Sequence, residues 1–197
     1  MAKLKVLALA VASGRVGYVF LDGTQLRDWA ITTRVSGNTS DLVAFVQELI
    51  NTLNPDVVVT ERCDHGCRKG KRTRQLIGAI AELASHNYVL DITLPKPRDH
   101  SSKYEEAKEL VARHPDLVGY LPKRKRRIYE RENRNMLIFE ALALAEEVNN
   151  GPPEAHAAAM GLHHTKTAHS NGAVFHSDCF SIENGLSPLP QLTPFIT

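Results

Sequence analysis

Two glutamates stand where a carboxylate could do chemistry. Glu61 ends a short apolar run at residues 57–60, and Glu140 lies within the apolar segment 137–148. The end of a buried parallel strand lies in the crevice where open α/β sheets bind ligands, which makes Glu61 a candidate site residue. Helical spacing places Glu140 on the same face as Leu137 and Leu144, so its carboxylate is expected to point inward and to need a partner. That partner is a metal ion, an arginine or a pocket that raises the pKa, and arginine is the commonest of the three.

Basic residues follow Glu61 directly. We expect five of them at the rim of the crevice, and two more after the next strand at the same rim: Arg68, Lys69, Lys71, Arg72, Arg74, Lys96 and Arg98. Clustered cations bind phosphate backbones even in a protein whose formal net charge is only +2. The cluster therefore predicts nucleic-acid binding. The structural alternative for the cluster is the solvated end of a helix. The alternative for Glu61 is a strand-end carboxylate in a salt bridge with Arg62 or Arg68.

A second basic cluster occupies residues 123–127 and continues at Arg131 and Arg134. If these residues belong to the long helix that carries Glu140, four of them are spaced three or four apart and lie on a face roughly opposite Glu140: Arg124, Arg127, Arg131 and Arg134. They then bind nucleic acid away from the two glutamates, or they form a solvated or partner-binding surface.

The loop after Glu61 also holds Cys63, Asp64 and Cys67. A structural zinc site takes about four ligands, usually from two separated pairs, and no second Cys/His pair follows at that spacing. Neighbouring cations would lower a thiol pKa, but a CxxxC pair without a base partner indicates nucleophilic catalysis only weakly. With Cys179 the chain holds three cysteines, a sparse and odd set that fits a reducing compartment better than a disulfide scaffold.

These residues lie on a regular succession of elements. Apolar runs and turn signals predict strands near residues 6–11, 16–21 and 26–33, followed by a helix that Thr39 or Ser40 caps and that runs to residue 53. A strand over 56–61, a helix through 76–83, a strand over 88–94, a helix capped by Ser101 or Ser102, and a long helix over about 126–148 complete the order. The order βββαβαβαα describes a mixed sheet covered by helices.

The fold class is α/β, with a mixed five-stranded sheet flanked by helices. A three-stranded antiparallel meander and two parallel strands make the sheet, and the continuously apolar first strand is expected at its centre. We expect one domain at residues 1–149 and an irregular or partly helical extension at residues 150–197. No run approaches a bilayer span and no signal-peptide pattern begins the chain, so we expect a cytoplasmic protein.

Three motifs carry a resemblance to a known family. A hairpin reads Ser13-Gly14-Arg15-Val16-Gly17-Tyr18, Pro55-Asp56 leads a strand that ends at Glu61, and the last helix contains Glu140-Ala141-Leu142-Ala143-Leu144-Ala145. With this order of elements, residues 3–148 resemble the ribonuclease H-like fold and, within it, the RuvC-type Holliday-junction resolvases. The resemblance is specific in layout and weak in identity.

The resemblance implies a site with two divalent cations, Mg²⁺ or Mn²⁺, held by acids of the first strand, the fourth strand and the last helix. It assigns Glu61 and Glu140 as residual catalytic acids and metal ligands, and Asp64, just beyond Glu61, is a candidate substitute for a missing ligand. The first-strand aspartate falls at Ala10, however, and the second acid of the last helix falls at Leu137. Because Mg²⁺ prefers near-octahedral oxygen coordination, the remaining acids supply too few ligands.

We therefore predict a nucleic-acid-binding protein of RuvC-like ribonuclease H fold that lacks nuclease activity or is impaired in it. Its partner is DNA or RNA, including branched forms, and no membrane is involved. One alternative is a divalent-metal-dependent endonuclease with rearranged acidic ligands. Another is a non-catalytic interaction or scaffold protein that forms a homodimer through the long helix or the tail.

Overall fold

The sheet of this protein is built around its first strand. In a computed structural model, which describes residues 3–33, 38–63, 67, 69–95, 102–122 and 132–151, the strands lie in the order β3-β2-β1-β4-β5. Strand β1 pairs antiparallel with β2 and parallel with β4, and β4 pairs parallel with β5. The predicted α/β fold and the central place of the first strand are confirmed.

The elements follow the predicted order, with one short addition. The strands are β1 (Lys5–Ala12), β2 (Arg15–Asp22), β3 (Gln25–Thr32), β4 (Val57–Glu61) and β5 (Leu90–Leu94). The helices are α1 (Thr39–Leu53), α2 (Lys71–His86), α3 (Lys103–Arg113) and α4 (Met136–Asn150), with a 3₁₀ helix at Pro115–Tyr120 between α3 and α4. The extension at residues 152–197 lies outside the described residues, so the domain boundary at residue 149 stays a prediction.

Alternate side chains of β1 enter two apolar layers, because successive residues of a strand point to opposite faces of the sheet. Val6, Ala8 and Ala10 pack with α3 and α4, whereas Leu7 and Leu9 pack with α1 and α2. The sheet is therefore covered on both faces. None of the helices in the described part of the chain is long and apolar enough to cross a membrane.

Two helices begin at residues other than those predicted. The cap of α1 is Asn38, whose side chain accepts a hydrogen bond from the Ser40 amide at 3.1 Å. The last helix is predicted from the sequence to start near residue 126. The described residues 132–135 are not helical, and α4 begins at Met136. Asn133 accepts a hydrogen bond from the Asn135 amide at 2.9 Å, a local bond that competes with helix formation.

The later start of α4 changes the setting of the second basic cluster. Arg134 lies in a turn before the helix, so it does not belong to the predicted helical face of arginines. Residues 123–131 lie outside the described residues. In α3 the predicted cap is confirmed, since the Ser102 side chain accepts a hydrogen bond from the Glu105 amide. The fifth strand begins at Leu90, two residues after Tyr88 adopts a positive φ of 56°.

A cluster of charged side chains joins α3 to α4, and we call it the Glu146 clasp. The Nε2–H of His114 donates to Glu146 Oε1 at 2.8 Å, and Arg113 donates to both carboxylate oxygens of Glu146. Burial alone would raise the pKa of Glu146, but these hydrogen bonds outweigh it and hold the pKa below its ordinary value. The clasp therefore stabilises the folded protein when the Glu146 carboxylate is ionised.

A buried carboxylate on the edge strand β5 is expected to cost stability. Among the described residues, Asp91 Oδ1 and Thr60 Oγ1 are buried without a hydrogen-bond partner, and burial raises the pKa of Asp91. Because the folded protein holds the Asp91 proton more tightly than the unfolded chain, this group favours folding at low pH and loses that contribution as the pH rises through the raised pKa. Ionised Asp91 is thus unfavourable near neutral pH.

We expect Asp91→Asn to raise the free energy of unfolding by about 1 kcal/mol at neutral pH, because it removes the negative charge of a half-buried carboxylate and keeps the size of the side chain. Denaturant titrations at neutral and acidic pH measure this gain, which should shrink where Asp91 is already protonated. The exposed Glu82→Gln on α2 serves as the control and should change little. A gain that is equal at both pH values would assign the effect to something other than ionisation.

Candidate functional site

The carboxyl ends of three parallel strands meet at one edge of the sheet, which we call the carboxyl edge. Strands β1, β4 and β5 end there at Ala12, Glu61 and Leu94. In the parallel pair of β1 and β4, Leu9 lies opposite Thr60, and the next residues of the two strands, Ala10 and Glu61, therefore lie side by side. Val57 and Val59 face α4, and alternation along the strand places Glu61 on that face too. The structure thus places Glu61 where the sequence predicted it.

Glu61 forms an ion pair within the protein. Lys69 Nζ lies 2.8 Å from Glu61 Oε2 and donates a second hydrogen bond to the backbone carbonyl of Val11 at 2.6 Å. The two side chains are only 15% and 18% exposed. Lys69 therefore belongs to an interior ion pair that joins β1 to β4, and it is not one of the exposed cations of the predicted rim.

Glu140 also contacts a lysine. Its side chain is 12% exposed on the first turns of α4, and Lys103 Nζ of α3 donates to Glu140 Oε1 at 3.1 Å. Lys103 also pairs closely with Glu132. Burial alone would lower the pKa of Lys103, but the bonds and charges of the two glutamates outweigh it and raise that pKa. The sequence favoured an arginine, and one partner of Glu140 is the lysine Lys103.

Apolar packing fills the two positions where the resemblance predicts further acids. Ala10 is 1% exposed and Leu137 is 5% exposed, and both belong to the core layer that α4 covers. Gly17, the partner of Ala10 on β2, has no Cβ, and a Cβ built there would lie 2.9 Å from the Cβ of Leu137. The helix therefore approaches the sheet closely at this point, because a glycine faces it.

Exposed cations gather at the same edge, on the first turn of α2. Lys71, Arg72 and Arg74 are exposed, the cap residue is Gly70, and this turn carries neither an acidic residue nor a side-chain cap. Arg62 is exposed beside them and donates to the Thr93 carbonyl at 3.4 Å. Three of the predicted rim residues, Arg68, Lys96 and Arg98, lie outside the described residues.

Sequence reasoning missed Arg15 and Lys103. Arg15 begins β2 opposite the carboxyl end of β1, so it adds a partly exposed cation to the carboxyl edge. Its position in the hairpin was a usable signal, because a residue that follows a two-residue turn lies at the same edge as the end of the preceding strand. Lys103 carried no comparable signal, since it lies 37 residues before its partner Glu140.

The surroundings of Cys63 favour its thiol over its thiolate. Burial, then a hydrogen bond with Cys67, raise the pKa of Cys63 to about 12, in the direction opposite to the one expected from the neighbouring cations. The two thiols are free. Within the described ranges, no three His, Cys, Asp or Glu side chains form a group that could hold a metal ion, and Asp64 lies outside those ranges.

The strand order and the helices on both faces define a ribonuclease H-like fold. Fowlpox virus resolvase, in a complex with substrate Holliday junction DNA, has a similar structure. The match covers 75% of this chain and 97% of that chain, with a TM-score of 0.50 and 14% sequence identity. This likeness shows the fold, and it confirms the resemblance to Holliday-junction resolvases at that level.

Two further solved structures are similar at lower TM-scores. For RuvC of T. thermophilus in complex with a Holliday junction substrate, the TM-score is 0.49 with 15% identity, over 80% of this chain and 96% of that chain. For the yeast mitochondrial Holliday junction resolvase Ydc2 the TM-score is 0.43 with 13% identity, over 75% of this chain and 84% of that chain. No protein-family model and no curated protein matches the sequence.

The described residues do not fit the two-metal site that the resemblance implies. Ala10 and Leu137 offer no side-chain oxygen, and they lie in a close-packed apolar contact. The two glutamates that remain hold ammonium groups at 2.8 and 3.1 Å. An Mg²⁺ ion needs about six oxygen ligands, and an ammonium group beside the carboxylate repels a second cation.

Proposed function

We propose that this protein binds nucleic acid at the carboxyl edge of its sheet and does not cleave it. The observation that carries the proposal is the exposed basic first turn of α2, where Lys71, Arg72 and Arg74 follow an uncapped Gly70. Backbone N–H groups at a helix N-terminus and basic side chains both favour phosphate, and here they occur together.

The charge of this turn is unfavourable in the protein alone. The N-terminus of a helix carries a partial positive charge, so cations in the first turn such as Lys71 and Arg74 are unfavourable there by about 0.3–1 kcal/mol each at low ionic strength. A bound phosphate reverses the sign of that interaction. The basic turn is therefore better explained by a phosphate ligand than by a contribution to the stability of α2.

Branched DNA is the form of nucleic acid that we propose. Fowlpox virus resolvase, which has a similar fold, is in a complex with substrate Holliday junction DNA, and a junction offers phosphates from several strands to one basic edge. RNA and linear duplex DNA are the alternatives that the binding assay compares. Cleavage is not part of the proposal, because the glutamates at this edge are paired with lysines and the other acid positions are apolar.

The test measures affinity for a four-way DNA junction against salt concentration. Combined replacement of Lys71, Arg72 and Arg74 with alanine should weaken binding by about 10- to 100-fold at low salt and reduce the slope of log affinity against log salt by roughly 2 to 3, since each lost phosphate contact removes about 0.9. Fluorescence anisotropy of a labelled junction gives both values.

A second triple variant controls for the lost charge. Lys3, Arg27 and Lys108 are exposed, and Lys3 and Arg27 lie near the opposite edge of the sheet, so replacing all three with alanine should leave the junction affinity almost unchanged. Equal losses in the two variants would mean that only net charge matters. The proposal fails if the junction affinity changes neither with salt concentration nor in either triple variant.

A further inference from the structure

Two carboxylates at a surface that binds phosphate require neutralisation. An ionised carboxylate repels the phosphate backbone, and a divalent cation is the usual means of screening both charges at once. Asn149, at the end of α4, donates a hydrogen bond to the Gly23 carbonyl at the opposite edge of the sheet, so the first turns of α4, with Glu140, lie toward the carboxyl edge. Each glutamate there holds the ammonium group of a lysine, Glu61 that of Lys69 and Glu140 that of Lys103. The cations that balance the acids are thus part of the chain.

We propose that Lys69 and Lys103 take the place of divalent cations at this edge, so that the protein binds nucleic acid without any divalent cation. The claim that nucleic acid binds without a divalent cation rests on the proposed function. The other part of the inference concerns the protein alone: each lysine blocks a carboxylate that would otherwise take up a divalent cation.

The geometry of Lys69 supports this role. An ammonium group has three donors and no acceptor, and Lys69 uses two of them on Glu61 Oε2 and the Val11 carbonyl. Both of these oxygens are hard ligands that a divalent cation could also take. Because the ion pair is largely buried and the lysine is tethered by its own chain, a metal ion from solution has to displace a partner of high local concentration.

The arrangement around Lys103 repeats this pattern on the helix side of the sheet. Lys103 contacts two carboxylates, Glu140 and Glu132, in the way that a bridging cation would. The charges of those carboxylates keep the lysine protonated despite its burial, since they raise its pKa. Each of the two predicted site acids is therefore paired with a lysine, and the two lysines come from different segments of the chain.

The first experiment measures Mn²⁺ binding by the protein alone, using electron paramagnetic resonance of free Mn²⁺. The wild type should bind no Mn²⁺ through Glu61, so the variant Glu61→Gln should bind as much Mn²⁺ as the wild type. Lys69→Met frees Glu61 and the Val11 carbonyl, and it should bind Mn²⁺ at least about ten-fold more tightly than the wild type, a gain that Glu61→Gln removes. Lys103→Met should show a corresponding gain that depends on Glu140.

Two variants serve as controls. Lys69→Arg keeps the positive charge beside Glu61 and should not gain Mn²⁺ affinity. Lys108→Met removes a lysine from the exposed side of α3 and should not gain it either. Circular dichroism and thermal melting establish that each variant is folded before its Mn²⁺ affinity is compared.

The second experiment measures junction affinity in EDTA and in Mg²⁺ at equal ionic strength. The wild type should bind equally well in both, whereas the double variant Lys69→Met/Lys103→Met should bind weakly in EDTA and recover about ten-fold or more in Mg²⁺. A wild type that needs Mg²⁺ for binding, or that binds Mn²⁺ through Glu61, overturns the inference. A folded Lys69→Met that gains no Mn²⁺ affinity overturns it as well.

The two proposals fail separately. If the wild type binds no nucleic acid, the proposed function fails, and the Mn²⁺ measurements still decide whether the lysines block the carboxylates. If a lysine variant does not fold, the wild-type measurements in EDTA and with Mn²⁺ still test the inference.

Discussion

Ala10→Asp is expected to lower the free energy of unfolding by about 3 kcal/mol or more, the cost of burying a carboxylate that has no partner. Ala10 is 1% exposed near the carboxyl end of the central strand and pairs with Gly17, which Leu137 contacts closely. The nearby cation, Lys69, is already paired with Glu61 and with the Val11 carbonyl. The new carboxylate would therefore be protonated or would force α4 away from the sheet.

The change is measured by denaturant titration at neutral pH, and Ala12→Asp provides a matched control. Ala12 lies two residues further along the same face of β1 but is only partly buried, so its carboxylate can reach water and should cost less than about 1 kcal/mol. If Ala10→Asp were as stable as the wild type, the apolar packing at this position would not constrain the site, and the resemblance to a metal-binding arrangement would gain weight.

Glu146→Ala should cost about 2–3 kcal/mol, because it removes the acceptor of the clasp between α3 and α4 and leaves His114 buried without that partner. Arg113 contributes less to the cost, since its side chain is 51% exposed and water can solvate it. Chemical denaturation of the wild type and the variant at neutral pH measures the difference.

The loss should also depend on pH in a definite direction. Since the folded protein holds the pKa of Glu146 below its ordinary value, the clasp contributes fully above the ordinary pKa of glutamate, and the contribution disappears as the pH falls through the lowered value. The wild type and Glu146→Ala should thus converge in stability in acid. The exposed neighbour Glu147→Ala should change stability by less than about 0.5 kcal/mol, and an equal loss there would assign the effect to the helix and not to the clasp.

The fold was predictable because its signals are local. A continuously apolar first strand, Gly14 in the turn of the first hairpin and strands that alternate with helices are enough to define a mixed sheet with β1 at its centre. The start of α4 was not predictable from periodicity. There, Asn133 and Asn135 form a turn that interrupts a sequence with helical spacing, and side-chain to backbone hydrogen bonds of this kind leave only a weak sequence signal.

The site was predictable in its acids and not in their partners. Glu61 and Glu140 lie at positions that follow from the end of a strand and the face of a helix. The partner of Glu61 is eight residues further along the chain, beyond nearer arginines, and that of Glu140 comes from another helix. Which cation pairs with a buried acid depends on how loops and helices pack, and no spacing rule in the sequence encodes that.

The close contact between α4 and β2 makes substitutions at the carboxyl edge depend on one another. A new acid at Ala10 lacks a cation, loss of Lys69 leaves Glu61 unpaired, and any side chain at Gly17 meets Leu137. Residues in one such network have non-additive effects, so the cost of each change depends on the residues at the other positions. The edge is therefore epistatic: a library of single substitutions would find few ways to alter its chemistry, and a redesign has to replace Ala10, Gly17, Lys69 and Leu137 as one set.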